Sequence, residues 1–198
     1  MHRRSLSLIT LLLIVSATPL FAFQYEEQSF DRVARDAKYV VRANVVDTWS
    51  AWDDAHQVIY TYATLRVSRY FGEITGPDTL VVREVGGLVD GYKQEAIGFP
   101  EIRRGENVVL FLSEWDGSTD LRIHAYNQGK YLVRHRTRDF TEVLVEDPMK
   151  QGDERLSPAR RLEADAAAEE AAFTIEEFAE MVNAARAGDD RPRAARRQ

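Results

Sequence analysis

The sequence predicts a mainly β protein: a small barrel or a strongly curled antiparallel sheet, with a short N-terminal helix and one or two C-terminal helices. Between residues 39 and 146, apolar residues recur at every second position in several runs, which is the period of half-buried strands. Turns rich in Gly, Asn and Asp separate these runs. About six or seven short strands at such a spacing are typical of a small barrel. After Pro148 the composition changes to Ala, Glu and Arg, which favours helices.

Residues 1–22 have the order of a secretory signal peptide: a basic start with Arg3 and Arg4, an apolar run, and the small residue Ala22. Ser, Thr and Pro interrupt the apolar run, which falls short of the ~20 residues that a membrane-spanning helix needs. We therefore expect cleavage near Ala22, with Ala17 as the alternative site, and export to the periplasm or the extracellular space. We expect no membrane span after cleavage.

The composition argues against several classes of function. Loss of Arg3 and Arg4 with the signal peptide takes the formal charge from −6 to −8, and an acidic protein is poorly suited to general binding of nucleic acid or anionic membranes. The chain contains no cysteine, which excludes disulfides, thiol catalysis and cysteine-based zinc sites. The residues that remain after cleavage suffice for one domain with a single core.

A short helix and a long β-hairpin are predicted at the start of the mature chain. Phe30, Val33 and Ala37 have helical spacing within residues 24–37. From residue 39 a first strand follows, with an apolar face formed by Val41, Ala43, Val45, Trp49 and Ala51. After a turn, a second strand has an apolar face of Ile59, Ala63, Leu65 and Val67. Its opposite face is aromatic and polar: Tyr60, Tyr62, Thr64, Arg66 and Tyr70.

Further short strands complete the predicted sheet. One spans Thr79–Val85, and a long glycine-rich connection over residues 86–105 follows it. Residues 107–112 are apolar on both faces, so we expect them to form the most buried strand. Residues 121–125 alternate again, and residues 131–136 pair with residues 140–145. We assign residues 23–147 to a β-barrel domain that includes the N-terminal helix.

Residues 148–187 are predicted to be a helical extension, with a first helix over residues 158–170. Thr174 and Glu177 then have the spacing of a capping box, and one face of the next helix is apolar: Ile175, Phe178, Val182 and Ala185. A helix of about three turns is marginal alone, so we expect it to pack on the barrel. Residues 188–198 have no apolar residue beyond alanine and are predicted to be disordered.

No metal or cofactor motif is evident, and we expect no cofactor and no metal. The best metal candidate is the set Asp53, Asp54 and His56 at the tip of the first hairpin. Asp favours turns and His tolerates solvent, so a turn explains these residues better. Gly86-Gly87 follows a strand but lacks the helix that a phosphate-binding loop requires, and we interpret the pair as a bulge or turn.

We expect no catalytic residues, because no serine has the setting of a nucleophile elbow and no two histidines have metal-binding spacing. A hydrolase whose site assembles in space around His124 or His135 is the least favoured hypothesis.

The aromatic face of the second strand allows two interpretations. Its side chains could stack on sugars or bases, or the C-terminal helix could cover them, which we favour because that helix must pack somewhere. Trp52 and Trp115 both lie beside turns that could expose them as interface anchors.

Over about residues 35–146, the chain resembles a little-characterised family of exported bacterial proteins. The resemblance rests on a glycine pair, a G-x-P element, a Gly-Glu before an apolar strand and a Gly-Lys turn: Gly86, Gly87, Gly98, Pro100, Gly105, Glu106, Gly129 and Lys130. It implies an OB-like five-stranded barrel, distantly similar to the inhibitory domain of tissue inhibitors of metalloproteinases. Some members of the family accompany secreted metalloprotease domains. Those inhibitors chelate the protease zinc through an N-terminal cysteine, which this chain lacks, so their mechanism does not carry over.

The resemblance implies that the connection over residues 86–105 is an ordered loop that closes one end of the barrel, where recognition residues are common. We choose Tyr92, Phe99 and Arg103 in it, with Trp52, as the candidate partner-binding residues. The competing interpretation is that Phe99 plugs the mouth of the barrel. The favoured function is a non-catalytic exported module that binds another protein, such as a secreted protease or an envelope component. The alternative is an oligosaccharide or single-strand nucleic-acid binder that uses Tyr60, Tyr62, Arg66 and Tyr70.

Overall fold

A computed structural model describes residues 27–147 and 166–188. The helices with defined bounds are α1 (Phe30–Asp36) and α2 (Ile175–Arg186), and residues 166–171 are also helical. The strands are β1 (Tyr39–Trp52), β2 (Ile59–Tyr70), β3 (Thr79–Val85), β4 (Gly87–Val89), β5 (Tyr92–Gln94), β6 (Asn107–Glu114), β7 (Leu121–Ile123), β8 (Lys130–His135), β9 (Glu142–Glu146) and β10 (Phe173–Thr174). The predicted signal peptide, residues 158–165 of the predicted first C-terminal helix and residues 189–198 of the predicted tail lie outside the described residues.

The predicted mainly β fold is confirmed, and five of the strands close into a barrel of the small OB-like kind. The strand order is β1-β2-β3-β7-β6, and β6 pairs with β1 to close the circle. The β3–β7 pair is parallel and the other pairs are antiparallel. Strand β1 makes closure possible because its 14 residues are enough to pair with β2 from Val41 to Trp52 and with β6 from Tyr39 to Asn44. Strands β8, β9 and β10 continue the sheet outward from β6.

Strand β6 is buried on both faces, as its sequence predicts. Val108, Leu110 and Leu112 belong to the barrel interior, whereas Val109 and Phe111 belong to a second core outside the barrel. That second core lies between the outer side of the sheet and the two helices α1 and α2. The two helices therefore cover one outer side of the sheet, and this contact forms the second apolar core.

The second core is centred on Phe178 of α2. Its ring contacts those of Phe30, Phe71, Phe111 and Tyr131, with centroid distances between 5.4 and 5.7 Å. The predicted capping box is present at the start of α2: the Glu177 N–H donates to Thr174 Oγ1 at 3.2 Å, and the Thr174 N–H donates to the Glu177 carboxylate at 2.9 Å. At the other end, the Arg186 guanidinium donates to the carbonyl oxygens of Ala34 and Ala37.

The helix does not cover the aromatic face of β2, so our favoured interpretation of those tyrosines is wrong. The apolar stripe of α2 packs instead on α1 and on aromatic side chains that point outward from β6 and β8. The tyrosines of β2 carry hydroxyl groups that need polar partners, whereas the second core around the helix is formed mainly by apolar side chains. Within the described residues, Tyr60 and Tyr62 pack against other aromatic and cationic side chains of the barrel.

The alternation of β1 is also interrupted, which corrects the predicted position of Trp49. The pairing of β1 with β2 shifts between Val45 and Asp47, as at a β-bulge. One extra residue moves every later side chain to the opposite face. Val41, Ala43 and Val45 lie in the barrel core as predicted, but Trp49 lies outside it and is 43% exposed.

The predicted connection over residues 86–105 contains the small hairpin β4–β5 and an anchored loop. Ile102 enters the barrel core, whereas Phe99 packs outside it on Tyr126, so the interpretation of Phe99 as a barrel plug is wrong. The loop is secured by Lys130, whose side chain is 1% exposed and whose ammonium donates to the Glu101 carbonyl.

The Gly-Glu and Gly-Lys elements of the sequence meet at this point. Lys130 forms ion pairs with Glu106 at 2.8 Å and with Asp147 at 2.9 Å. Gly129 is needed beside it because a Cβ there would overlap the carbonyl oxygen of His124. Two of the motifs that carry the family resemblance are thus explained by packing.

None of the helices in the described ranges combines the length and apolar character needed to cross a bilayer.

Candidate functional site

Two of the four predicted partner-binding residues meet at one end of the barrel. Trp52 ends β1 and Tyr92 begins β5, and their rings lie edge to face with centroids 6.0 Å apart. The His56 ring stacks on Trp52 at 6.2 Å. We call this region the hairpin end and define it by the β1–β2 tip with its preceding tryptophan, residues 52–58, and by β4–β5 with the adjoining residue, residues 87–95.

The β1–β2 tip is shaped by Asp53. Its Oδ1 accepts hydrogen bonds from the N–H groups of Gln57 at 2.6 Å and Val58 at 3.1 Å, and these bonds lower the pKa of the carboxyl below its usual value. The Asp53 N–H donates in turn to the Val58 carbonyl. This carboxylate therefore closes the turn. Across residues 27–147 and 166–188, no group of three or more His, Asp or Glu side chains could hold a metal ion.

The β4–β5 hairpin is fixed to the ends of β1 and β2 by hydrogen bonds. The Gly86 N–H donates to the Ile59 carbonyl at 2.8 Å, the Ile59 N–H donates to Gln94 Oε1 at 2.7 Å, and the Thr61 hydroxyl donates to the Gly86 carbonyl at 2.7 Å. Gly87 has φ +144°, and a Cβ there would lie 2.5 Å from Ser50 Oγ. The glycine pair thus allows β4–β5 to sit directly on the barrel, which holds Tyr92 beside Trp52.

Apolar side chains at the hairpin end remain open to solvent. Tyr92 is 66% exposed and Leu88 is 63% exposed, whereas Trp52 is half-buried. Asp54 and Asp90 are exposed beside them. A fixed backbone that presents large apolar groups to water is typical of an interaction surface.

The other two predicted partner-binding residues have different partners. Phe99 packs edge-on against Tyr126 at 4.9 Å and lies near Arg122. Arg103 is exposed, but its guanidinium pairs with Glu101. The structure thus brings Trp52 and Tyr92 together, but it does not join Phe99 and Arg103 to them.

The second candidate surface is the outward face of β1–β2–β3. Trp49 stacks on Tyr62 with a centroid distance of 5.3 Å and an angle of 7° between the rings. In the β2–β3 register, Tyr62 lies opposite Arg83 of β3. Arg66 is exposed on the same strand. Tyr70 is used differently, because its hydroxyl donates to the Pro77 carbonyl at 2.6 Å and its ring packs on Tyr39.

Trp115 is a packed residue and not an exposed anchor. Its Nε1–H donates to the Arg83 carbonyl at 3.0 Å. The guanidinium of Arg83 lies over both Tyr60 and Trp115, and that of Arg122 lies over Trp115 and Tyr126. This alternation of rings and guanidinium groups fixes the β6–β7 turn on the barrel wall.

Glu84 is a buried residue that our sequence analysis did not single out. Its side chain lies inside the barrel and is 2% exposed; one oxygen accepts from the Ile123 N–H, and the other, Oε2, has no hydrogen-bond partner among the described residues. Burial raises the pKa of this carboxyl to about 8. The signal was present in the sequence, because Leu80, Val82 and Glu84 share one face of β3.

The two histidines considered for hydrolysis have no catalytic arrangement around them. His124 is partly buried, which lowers its pKa, and within residues 27–147 and 166–188 its Nε2 has no hydrogen-bond partner. His135 is exposed and lies 3.9 Å from Glu142, a carboxylate that Arg42 already holds through both oxygens. In the described part of the chain, no hydrogen bond joins a histidine side chain to a serine hydroxyl.

Comparison of the chain with protein-family models, with curated proteins and with solved structures finds no match.

Proposed function

We propose that this protein is a non-catalytic exported module that binds another exported protein, such as a secreted protease or an envelope component, through the hairpin end. The observation that carries the proposal is the contact between the half-buried Trp52 and the exposed Tyr92, which lie 40 positions apart in the chain. Aromatic residues in fixed positions are common centres of protein interfaces, because little side-chain freedom is lost when they bind.

The surrounding structure supports the proposal in two ways. Hydrogen bonds of Asp53 order the β1–β2 turn, and those of Gln94 and Thr61 fix the base of β4–β5 before any partner arrives, which lowers the entropy lost on association. The exposed side chains of Leu88 and Tyr92 provide apolar area for burial. The histidine environments described above supply no nucleophile and base in contact, which supports a role without catalysis.

The test is capture of a partner on the immobilised protein. The envelope and secreted fractions of the source organism are passed over it, and retained proteins are identified by mass spectrometry. We expect a reproducible partner that is lost with the Trp52→Ala/Tyr92→Ala double variant, because the aromatic centre is removed while the barrel core is untouched. A matched control is Phe140→Ala, which removes a ring that is 78% exposed on a different hairpin.

Circular dichroism establishes that the double variant is folded before capture is compared. Retention of the same partner by the folded double variant contradicts the proposal, as does equal loss with Phe140→Ala.

A second candidate function is oligosaccharide binding on the outward face of β1–β2–β3. It is favoured by the stack of Trp49 on Tyr62, because no described helix covers that face and the Trp49 ring is 43% exposed. Flat aromatic surfaces bind sugars and bases, and the acidic charge of the chain favours an uncharged sugar over nucleic acid. Quenching of tryptophan fluorescence by glycans, abolished by Trp49→Ala, tests this candidate. If neither glycans nor oligonucleotides quench the fluorescence, this candidate function is rejected.

A further inference from the structure

We propose that the hairpin end recognises a cationic segment of its partner, in which an arginine or lysine side chain lies against Trp52 and Tyr92. This inference rests on the proposed function and specifies the chemistry of the partner. It is carried by two independent properties of the hairpin end: its charge and the arrangement of its rings.

The first property is an excess of negative charge. Residues 52–58 and 87–95 contain four carboxylates, of Asp53, Asp54, Asp90 and Glu95, and one ammonium group, of Lys93. Lys93 already pairs with Glu95. The Asp53 carboxylate accepts hydrogen bonds from the turn that it closes. Asp54 and Asp90 are exposed, and within the described residues neither carboxylate forms an ion pair or a hydrogen bond. Two unpaired carboxylates beside an apolar surface are complementary to a cation.

The second property is the geometry of the aromatic side chains. The planes of Trp52 and Tyr92 lie at 65° to each other with their centroids 6.0 Å apart, and the His56 ring lies nearly parallel to Trp52. The face of an aromatic ring attracts a cation, most strongly for tryptophan. A guanidinium group can stack on a ring and donate to a carboxylate at the same time.

A purely apolar partner would use only part of this surface. Leu88 and Tyr92 supply apolar contacts, but the carboxylates of Asp54 and Asp90 would lose water without a compensating partner. An anionic partner would be repelled. A segment with basic and apolar residues satisfies both features, and we commit to this partner.

The experiment uses two synthetic peptides of equal length, in which Leu alternates either with Arg or with Glu, titrated into the full-length protein by calorimetry. We expect the Arg peptide to bind and the Glu peptide not to bind. Binding should weaken as salt is raised, because the carboxylates are exposed. The Asp54→Asn/Asp90→Asn variant should bind the Arg peptide about three- to tenfold more weakly.

The matched control removes two exposed acids elsewhere. Glu73→Gln/Asp116→Asn changes the net charge equally but lies outside the hairpin end, and it should leave the affinity within about twofold of the unmodified protein. For the rings, Tyr92→Ala should weaken binding about three- to tenfold, whereas Tyr92→Phe should not, because it keeps the aromatic face.

Equal binding of the two peptides, no binding of the Arg peptide, or an equal loss with the control variant overturns the inference. The captured partner separates this failure from failure of the proposed function. If the partner is lost with Trp52→Ala/Tyr92→Ala but an excess of Arg peptide does not displace it, the protein-binding function stands and the cationic segment does not. If no partner and no Arg peptide bind, both fall.

Discussion

Glu84 is a carboxyl group inside an apolar barrel, and its position links the stability of the protein to pH. The pKa of its side chain is raised from 4.5 to about 8 because burial disfavours the charged form. The folded state therefore keeps a proton that the unfolded chain releases between these two pH values. The contribution of Glu84 to the free energy of unfolding is therefore largest below the lower value, falls as pH rises through the window, and levels off above about pH 8.

We predict that Glu84→Gln removes most of this pH dependence. Glutamine keeps an oxygen that can accept from the Ile123 N–H and carries no charge to bury. In chemical denaturation between pH 5 and pH 9, the unmodified protein should lose a few kcal/mol of unfolding free energy, and the variant should stay nearly constant. Parallel pH profiles for the two proteins would show that the carboxyl is ionised in the folded state throughout.

Lys130 is the opposite case, a buried charge with its partners in place. We predict that Lys130→Met destabilises the protein by about 3 kcal/mol, because Glu106 and Asp147 lose their shared cation and the loop that carries the Glu101 carbonyl loses its anchor. Lys38→Met is the matched control. Lys38 also pairs with a glutamate, Glu114, but both side chains are exposed, so little change is expected in urea denaturation. Equal effects of the two substitutions would contradict the role assigned to Lys130.

At the scale of elements, the placement of β4–β5 decides whether the hairpin end exists. We predict that Gly87→Ala displaces this hairpin, because its Cβ would clash with Ser50 and the residue would keep a φ of +144°. Hydrogen exchange of the amides of residues 86–94 should become faster, and binding through Trp52 and Tyr92 should weaken, while the barrel core stays protected.

Gly91→Ala serves as the control for that prediction. Gly91 lies in the turn of the same hairpin with φ +83°, but no atom lies within 4 Å of its Cβ position, so it adds backbone strain without the clash. If both variants exchange alike, strain and not contact with the barrel governs the hairpin.

At the scale of the whole molecule, the two cores are joined by β6, which contributes side chains to both. We predict that the described fold unfolds in a single transition. Phe178→Ala removes the centre of the second core and should cost about 3–5 kcal/mol. The denaturant midpoint should fall by the same amount whether unfolding is followed by tryptophan fluorescence, which reports on the barrel, or by helical circular dichroism. Two separate transitions in the variant would show that the barrel folds independently of α2.

Much of this architecture follows from local patterns in the sequence. The double-sided burial of β6 and the capping box of α2 are confirmed, because each depends on residues within a few positions of one another. The bulge in β1 was not predicted: Trp49 and Ala51 resume the odd-numbered apolar positions after Asp47, whereas the pairing with β2 shifts by one residue between Val45 and Asp47. The packing site of α2 was wrongly predicted, because it depends on which side chains of different strands and of α1 come together outside the closed barrel.

The candidate site was predicted only in part, for a similar reason. Trp52 and Tyr92 were chosen separately, as a residue beside a turn and a residue of a long loop, and their contact depends on where β4–β5 returns to the barrel. Phe99 and Arg103 were chosen by the same reasoning from loop position, but local partners occupy them. Strands of three residues such as β4 and β5 leave too short a pattern to be recognised.

The ion pairs of Lys130 also bear on where the chain can fold. They join backbone or side chains at positions 101, 106 and 147, much as a disulfide would tie distant segments of an exported protein together. A disulfide depends on an oxidising compartment and on enzymes that form it. The strength of ion pairs between an ammonium and two carboxylates does not depend on the redox potential. The chain can therefore form and keep these contacts in reducing and oxidising surroundings alike.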